Sequence, residues 1–439
     1  MCKPSPENSA VHPASGQSAR LRTIARLALV LGTCPAFAQT SYSWQQIRER
    51  FEAANPTLKA AQLNIDESRA AEVTAYLRPN PDFTLSADGF QVNNSGTGGY
   101  RPLSGVVETP SISYLHERQH KRELRRDTAH ESTVIARSTY LDQERSLLFN
   151  LRNSFVQVLQ AKAVMQNARE NLDYWERELG INRMRFRAGD MAQVDLDRLE
   201  LQAVQFESDL ETAIVNVRTA KIQLLNLLNE RTPIERFDIS GEYTFSERML
   251  PMEEYRNAAL EARPDLQAAV ENVALARLNH QLAIANGSTD PTFSLWYSHN
   301  PSFANPYANQ TVGGSISIPL RIFDRNQGEK ARTQIDIGRN ERLREAAEAQ
   351  VLSDVDSAYV TLVSTLNLLR PYRDKYLKLA EETRNRISFS YQHGGASLLD
   401  YLDAEKAYRD TRLAYLNLIG SYLTAAAQLN MAVGREVIP

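Results

Sequence analysis

Between Asp190 and Thr232 the chain has no Gly or Pro, and its apolar residues recur at alternating spacings of four and three: Leu199, Ala203, Phe206, Leu210, Ala213, Val217, Ala220, Leu224 and Leu227. That spacing keeps one stripe on one face of a helix and predicts a coiled-coil seam over about 191–229. A looser stripe, Leu148, Leu151, Phe155, Val158, Met165 and Leu172, runs through a 69-residue stretch between Pro110 and Gly180 that lacks both breakers. It predicts a helix over about 118–182, of which 60 residues would reach about 90 Å, far beyond the usual globular helix.

Elsewhere the period is two. Phe83, Leu85 and Ala87 interleave with Thr84, Ser86 and Asp88; Phe293, Leu295 and Tyr297 with Thr292, Ser294 and Ser298; Ile316, Ile318 and Leu320 with Ser315 and Ser317. These predict strands at about 81–90, 105–115, 291–299 and 311–321, joined by polar loops from Gly89 to Gly105 and from His299 to Gln310. Tyr100, Trp296 and Tyr297 near the turns suit aromatics at a membrane interface. Periodicity alone describes a sheet packed on helices equally well. Four strands cannot close a barrel in lipid, so a spanning sheet requires several copies.

The pattern is duplicated. Asn55-Pro56-Thr57-Leu58 returns as Arg263-Pro264-Asp265-Leu266, Pro110 returns as Pro319, and the seam shifted by 205 becomes Ala404, Tyr408, Thr411, Tyr415, Leu418, Tyr422, Ala425, Leu429 and Ala432. Two structural repeats follow, 39–250 and 251–439, each reading helix, two strands, long helix, helix. The second pair of long helices is expected at about 328–391 and 397–433.

Composition narrows the setting. With 42% hydrophobic residues the chain builds a core, and with 23% charged residues it is no bundle of apolar membrane helices. The net charge of −3 gives no drive toward nucleic acid, and no nucleic-acid partner is expected. Arg20, Arg22 and Arg26 precede an apolar stretch from Leu27 to Gly32, and Ala36-Phe37-Ala38 offers a small-x-small cleavage site. Residues 1–38 read as a secretory signal peptide, with the mature chain starting at Gln39. Both cysteines, Cys2 and Cys34, fall in that segment, so the mature chain holds no disulfide or thiol site. The competing reading, Cys34 lipidated after Leu31-Gly32-Thr33, meets a poor residue in Thr33.

The duplicated plan resembles the outer-membrane efflux factors, the TolC-like channel subunits of tripartite export systems, over essentially the whole mature chain. The resemblance implies a mainly α protomer with a small membrane β part. It implies a homotrimer in outer-membrane lipid, each chain giving four strands to a twelve-stranded β-barrel and its long helices to a periplasmic α-barrel. It also implies two partners, a periplasmic adaptor (membrane fusion protein) and an inner-membrane RND-type pump that supplies the energy, since no Gly-rich nucleotide loop ending in Lys-Ser or Lys-Thr occurs here. No cofactor is implied. Ile318-Pro319-Leu320-Arg321-Ile322-Phe323-Asp324-Arg325-Asn326-Gln327-Gly328 is similar to the strand-to-helix junction of the heavy-metal, CzcC-like branch, which implies divalent metal cations as cargo. Drug efflux, protein secretion and a soluble periplasmic coiled-coil scaffold are the alternatives.

Tyr391-Gln392-His393-Gly394, followed by Asp400-Tyr401-Leu402-Asp403-Ala404, resembles the family's periplasmic tip. An aperture gate of Tyr391, Asp400 and Asp403 is implied, with adaptor-contacting tips at Ala188, Gly189, Asp190, Gly394, Gly395 and Ser397. Tyr391 is expected to hold neighbouring hairpins together through its hydroxyl. Asp400 and Asp403, three apart on a helix, share a face; three-fold symmetry would stack two rings of three carboxylates, selecting cations and raising some of their pKa values by crowding. The plain alternative is a helix start that favours acids. The first repeat keeps Phe186, Gly189 and Asp195 but has Arg198 where the second has Asp403, and Ala396 stands where family members with a well-described gate carry Arg.

His116-Glu117-Arg118-Gln119-His120 matches the zinc-protease pattern. It is set aside as an enzyme signature because Lys121 to Arg126 form no buried active-site helix, no third ligand follows, and the segment aligns with the Arg325 to Glu329 junction of the second repeat.

Overall fold

The computed structural model describes residues 40–93, 99–103, 105–300 and 309–438; the signal segment 1–38, with Cys2, Cys34 and the expected cleavage site, lies outside the described residues. The first repeat contains β1 (Thr40–Tyr42), α1 (Trp44–Ala54), α2 (Pro56–Ala75), β2 (Asp82–Asp88), β3 (Val107–Leu115), α3 (Lys121–Ala188) and α4 (Gln193–Leu227). β4 (Phe237–Ile239) follows and pairs in parallel with β1. The second repeat contains α5 (Met252–Ala262), α6 (Pro264–Asn286), β5 (Thr292–His299), β6 (Gln310–Ser317), α7 (Gln327–Pro371), α8 (Leu377–Gln392) and α9 (Leu398–Val433). Sequence reading missed β1, β4, α1 and α5; the two strands have three residues each, too few to show a period.

Equivalent joints are held by different chemistry in the two repeats. Asn55 caps α2, its Oδ1 accepting from the backbone N–H of Thr57 and Leu58 at 2.9 and 3.1 Å, and Pro56 fits the first turn, where its missing N–H has no partner to lose. At the matching joint Arg263 has no capping oxygen. Its guanidinium, in a residue only 3% exposed, instead donates to Asp265 at 2.6 and 2.9 Å and to Asp354 at 2.8 Å, tying α6 to α7.

The four longer strands form one antiparallel sheet in the order β2-β3-β5-β6. Its register aligns Phe83 with Ile112 and Ile112 with Leu295, and likewise Tyr114 with Phe293 and Phe293 with Ile316. The other face aligns Asp82, Ser113, Ser294 and Ser315. Phe83 is 71% exposed and Leu295 56%, so the apolar row is not packed on helices. Trp296 departs from expectation: it lies on the Ser/Thr face opposite Gly313, where an added Cβ would come within 2.6 Å of the indole. β6 ends at Ser317, before the expected 321, because Pro319 has no N–H for the ladder.

The helices run as long rods; α3, with 68 residues, is about 100 Å long. α7 and α8 lie in the span expected as one helix, but Pro371 interrupts it and a π-turn at Tyr372–Tyr376 joins them. Proline cannot donate to the carbonyl four residues back, and the widened turn accommodates that loss. Three buried clusters follow the stripes. One gathers Ile47 and Phe51 with Leu151, Phe155, Leu224 and Ile239. The second gathers Tyr255 and Ala259 with Val355, Leu362, Tyr422 and Leu429. The third, around Trp175, Leu199 and Tyr401, joins the two hairpins near their tips. Among the described residues no helix is long and apolar enough to cross a membrane.

Candidate functional site: the paired hairpin tips

Both tips are built by glycine. α3 stops where Gly189 adopts φ +84°, and the N–H groups of Gly189 and Asp190 return to the carbonyls of Phe186 and Arg185 at 3.0 and 2.9 Å. α8 stops at Gly394, φ +79°, with Gly395 N–H donating to the Ser390 carbonyl at 2.7 Å. Both conformations are costly for any residue with a Cβ. Ala188, Gly189, Asp190, Gly394, Gly395 and Ser397 are all exposed at these turns.

α9 starts with a reciprocal cap. Ser397 Oγ accepts from Asp400 N–H at 3.1 Å, and Asp400 Oδ2 accepts from Ser397 N–H at 3.1 Å and from its hydroxyl at 2.7 Å. The Ser397 hydroxyl and N–H hold the Asp400 carboxyl below the usual carboxylate range. Within one chain the direction is therefore opposite to the rise expected from crowding. Asp403 is exposed on the same side of α9.

Tyr391 is not with them. It is 8% exposed, its hydroxyl donates to Asn182 Oδ1 of α3 at 3.3 Å, and its ring stacks on Tyr401. The bond reaches the other hairpin of the same chain. Tyr401 is fully buried and stacks in turn on Trp175, 6.1 Å away at 11°, which stacks on Phe206 at 5.0 Å. This column of four rings crosses α8, α9, α3 and α4. Burial pushes the Tyr391 and Tyr401 hydroxyls upward and that of Tyr174 up to about 12, so all three stay neutral.

Sequence reading missed Trp175, Asn182, Glu178 and Glu405. The first two were within reach, since Leu172, Trp175, Leu179 and Asn182 continue the three-four spacing of the α3 stripe. The two glutamates gave no local signal.

The zinc-like motif is accounted for structurally. Glu117 pairs with Arg125, His116 lies edge-on to Phe293 at 6.5 Å, and His120 is in the left-handed conformation with its side chain 86% exposed. Among the described residues no group of three or more His, Cys, Asp or Glu is placed to hold a metal ion.

A family model described as outer membrane efflux protein matches residues 47–230 and 255–435, one block in each repeat. The cobalt-zinc-cadmium resistance protein CzcC of Cupriavidus metallidurans is 25% identical over 395 residues, 87% of this chain and 87% of that protein. The outer membrane protein TolC of Escherichia coli is 21% identical over 412 residues, 89% of this chain and 81% of that protein. The crystal structure of CusC superposes with a TM-score of 0.75 at 18% identity, covering 89% of this chain and 92% of that one. With both repeats matched, an apolar-faced sheet at one end and paired hairpins at the other, the chain belongs to the outer membrane efflux protein family.

Proposed function

We propose that three copies form one duct through the outer membrane, and that the duct passively conducts divalent metal cations handed over by a periplasmic adaptor and an inner-membrane RND-type pump. The observation that carries this reading is the four-stranded sheet, whose outer strands β2 and β6 each have an open edge and whose apolar row is exposed. Lipid tolerates no open edge, and three such sheets supply twelve strands, enough to close a barrel. The rods support it. α4 presents Val194, Leu201, Val215 and Ile222, spaced by multiples of seven and 57%, 73%, 55% and 51% exposed, a second seam that a neighbouring copy would cover.

The cargo follows from the name of CzcC, which specifies cobalt, zinc and cadmium, and from Asp400 and Asp403 exposed at the mouth of α9, where rings of carboxylates favour cations. In this reading Tyr391 anchors the gate from behind, and the exposed turns at Ala188 to Asp190 and Gly394 to Ser397 meet the adaptor. Two measurements test it. Unboiled outer-membrane fractions should show a band of about three times the protomer mass, as a closed barrel of three sheets requires. Deleting the gene in its host should lower tolerance to zinc or cadmium. A monomer confined to the soluble fraction would refute the duct, and unchanged metal tolerance would refute the cargo.

A further inference from the structure

Two carboxylates are sealed between the hairpins behind the tips. Glu178 on α3 is 9% exposed and Glu405 on α9 is 7% exposed. Glu405 Oε1 has no hydrogen-bond partner, and neither does the hydroxyl of Tyr401 one turn before it. Among the described residues neither glutamate forms an ion pair. A buried carboxylate left this way is strongly disfavoured in its charged form.

The cations nearby form no ion pair with either carboxyl, though Arg177 and Arg384 act on Glu178, and Arg384 and Arg409 on Glu405, against the rise that burial causes. Arg384 of α8 lies over the rings of Tyr408 and Tyr174 at 4.0 and 5.2 Å. Arg409 of α9 lies over Phe206 at 5.0 Å, with Asp209 of α4 at 3.8 Å. Arg177 acts on Glu178 only at longer range. The neutral groups that act on the pair are Gln392 and Tyr401 on Glu178, and Tyr174 on Glu405. Burial pushes both carboxyls above the ordinary glutamate value, and for Glu405 the charge of Glu178 adds to the rise.

We propose that Glu178 and Glu405 form a proton latch: with the pair protonated, α3, α8 and α9 close on one another, and with it ionised, the packing loosens and the tip opens. A carboxyl whose pKa is raised in the closed state favours that state at low pH and ceases to do so as pH rises through the raised value. Acid therefore tightens the tip and alkali releases it. This rests on the reading of the tip as the duct's closable end.

The test uses the purified full-length trimer in planar bilayers from about pH 5 to about pH 9, a range that brackets raised carboxyls. Conductance through the closed tip should rise with pH, with the open-to-closed ratio changing by roughly tenfold. Glu405→Gln, neutral at every pH, should hold the acid-like conductance throughout, and Glu178→Gln should flatten the profile in part. Hydrogen–deuterium exchange of residues 384–405, corrected for the intrinsic pH effect, should quicken in alkali in the native chain and not in Glu405→Gln. The exchange readout needs no channel activity, so it separates failure of the latch from failure of the duct. A pH profile shared by native chain and both variants, or a native chain with no pH dependence, would overturn the latch.

Discussion

Tyr391 and Tyr401 lie ring on ring, 4.9 Å between centroids and 8° between planes, although they stand on opposite arms of one hairpin. Tyr391→Ala should destabilise the hairpin pairing by about 3 kcal/mol, as loss of a buried aromatic does. Tyr391→Phe removes only the bond to Asn182, costing about 1 kcal/mol and raising conductance through the closed tip. Tyr401→Phe should act in reverse and stabilise by about 1 kcal/mol, because it deletes a buried hydroxyl without a partner. The temperature at which trimers dissociate in detergent measures all three, and a Tyr401→Phe trimer that falls apart earlier than the native one contradicts the assignment.

The two faces of the sheet should tolerate charge unequally. Phe293→Arg places a cation on the exposed apolar row, at about 2 to 4 kcal/mol near the bilayer midplane, and should deplete membrane trimers. Ser294→Arg, on the opposite face, should leave trimer yield near native. Equal yields from the two variants would mean that the apolar row does not meet lipid.

Asp400 and Asp403 should carry the cation preference of the mouth. Asp400→Asn with Asp403→Asn should weaken cation selectivity and divalent block in bilayers without lowering trimer yield. Because Ser397 holds the Asp400 carboxyl down, its charge persists as pH falls and is lost only below the ordinary carboxylate pKa of about 4. Selectivity should survive mild acid in the native chain, and Ser397→Ala should move its loss to higher pH. A double Asn variant with native selectivity would place the constriction elsewhere.

Both natural cysteines lie within residues 1–38, so introduced thiols report cleanly on the tips. Ala188→Cys and Ser397→Cys should crosslink to the periplasmic adaptor in intact cells. Labelling of Ser397→Cys by an impermeant reagent added outside the cell would invert the proposed topology.

The repeat, the rods and the alternating strands were legible in the sequence because each rests on spacing within a few turns of chain. Trp296 was misplaced because nearness to a turn says nothing about which face a register selects; opposite Gly313 it fills space that only glycine leaves. The Tyr391 hydroxyl suggested a link between hairpins, but its partner, Asn182, is 209 residues away. Glu178 and Glu405 were invisible for the same reason: each looks like an ordinary helix-surface acid until α3 and α9 are laid together.

The π-turn at Tyr372–Tyr376 also has a geometric effect on the tip. Above it the buried positions of α7 include Val351, Val355, Ala358, Leu362, Thr365 and Leu369, a strict three-four series that would continue to 383, 386 and 390. Below it the buried residues are Ser388 and Tyr391, with Tyr391 one step late. One surplus residue thus turns the lower rod by about 100°, like a phase slip in a screw thread, and brings the tyrosine round to Asn182. The shape of the mouth is set by the residue count at a proline some twenty positions away, and not by the mouth's own sequence alone.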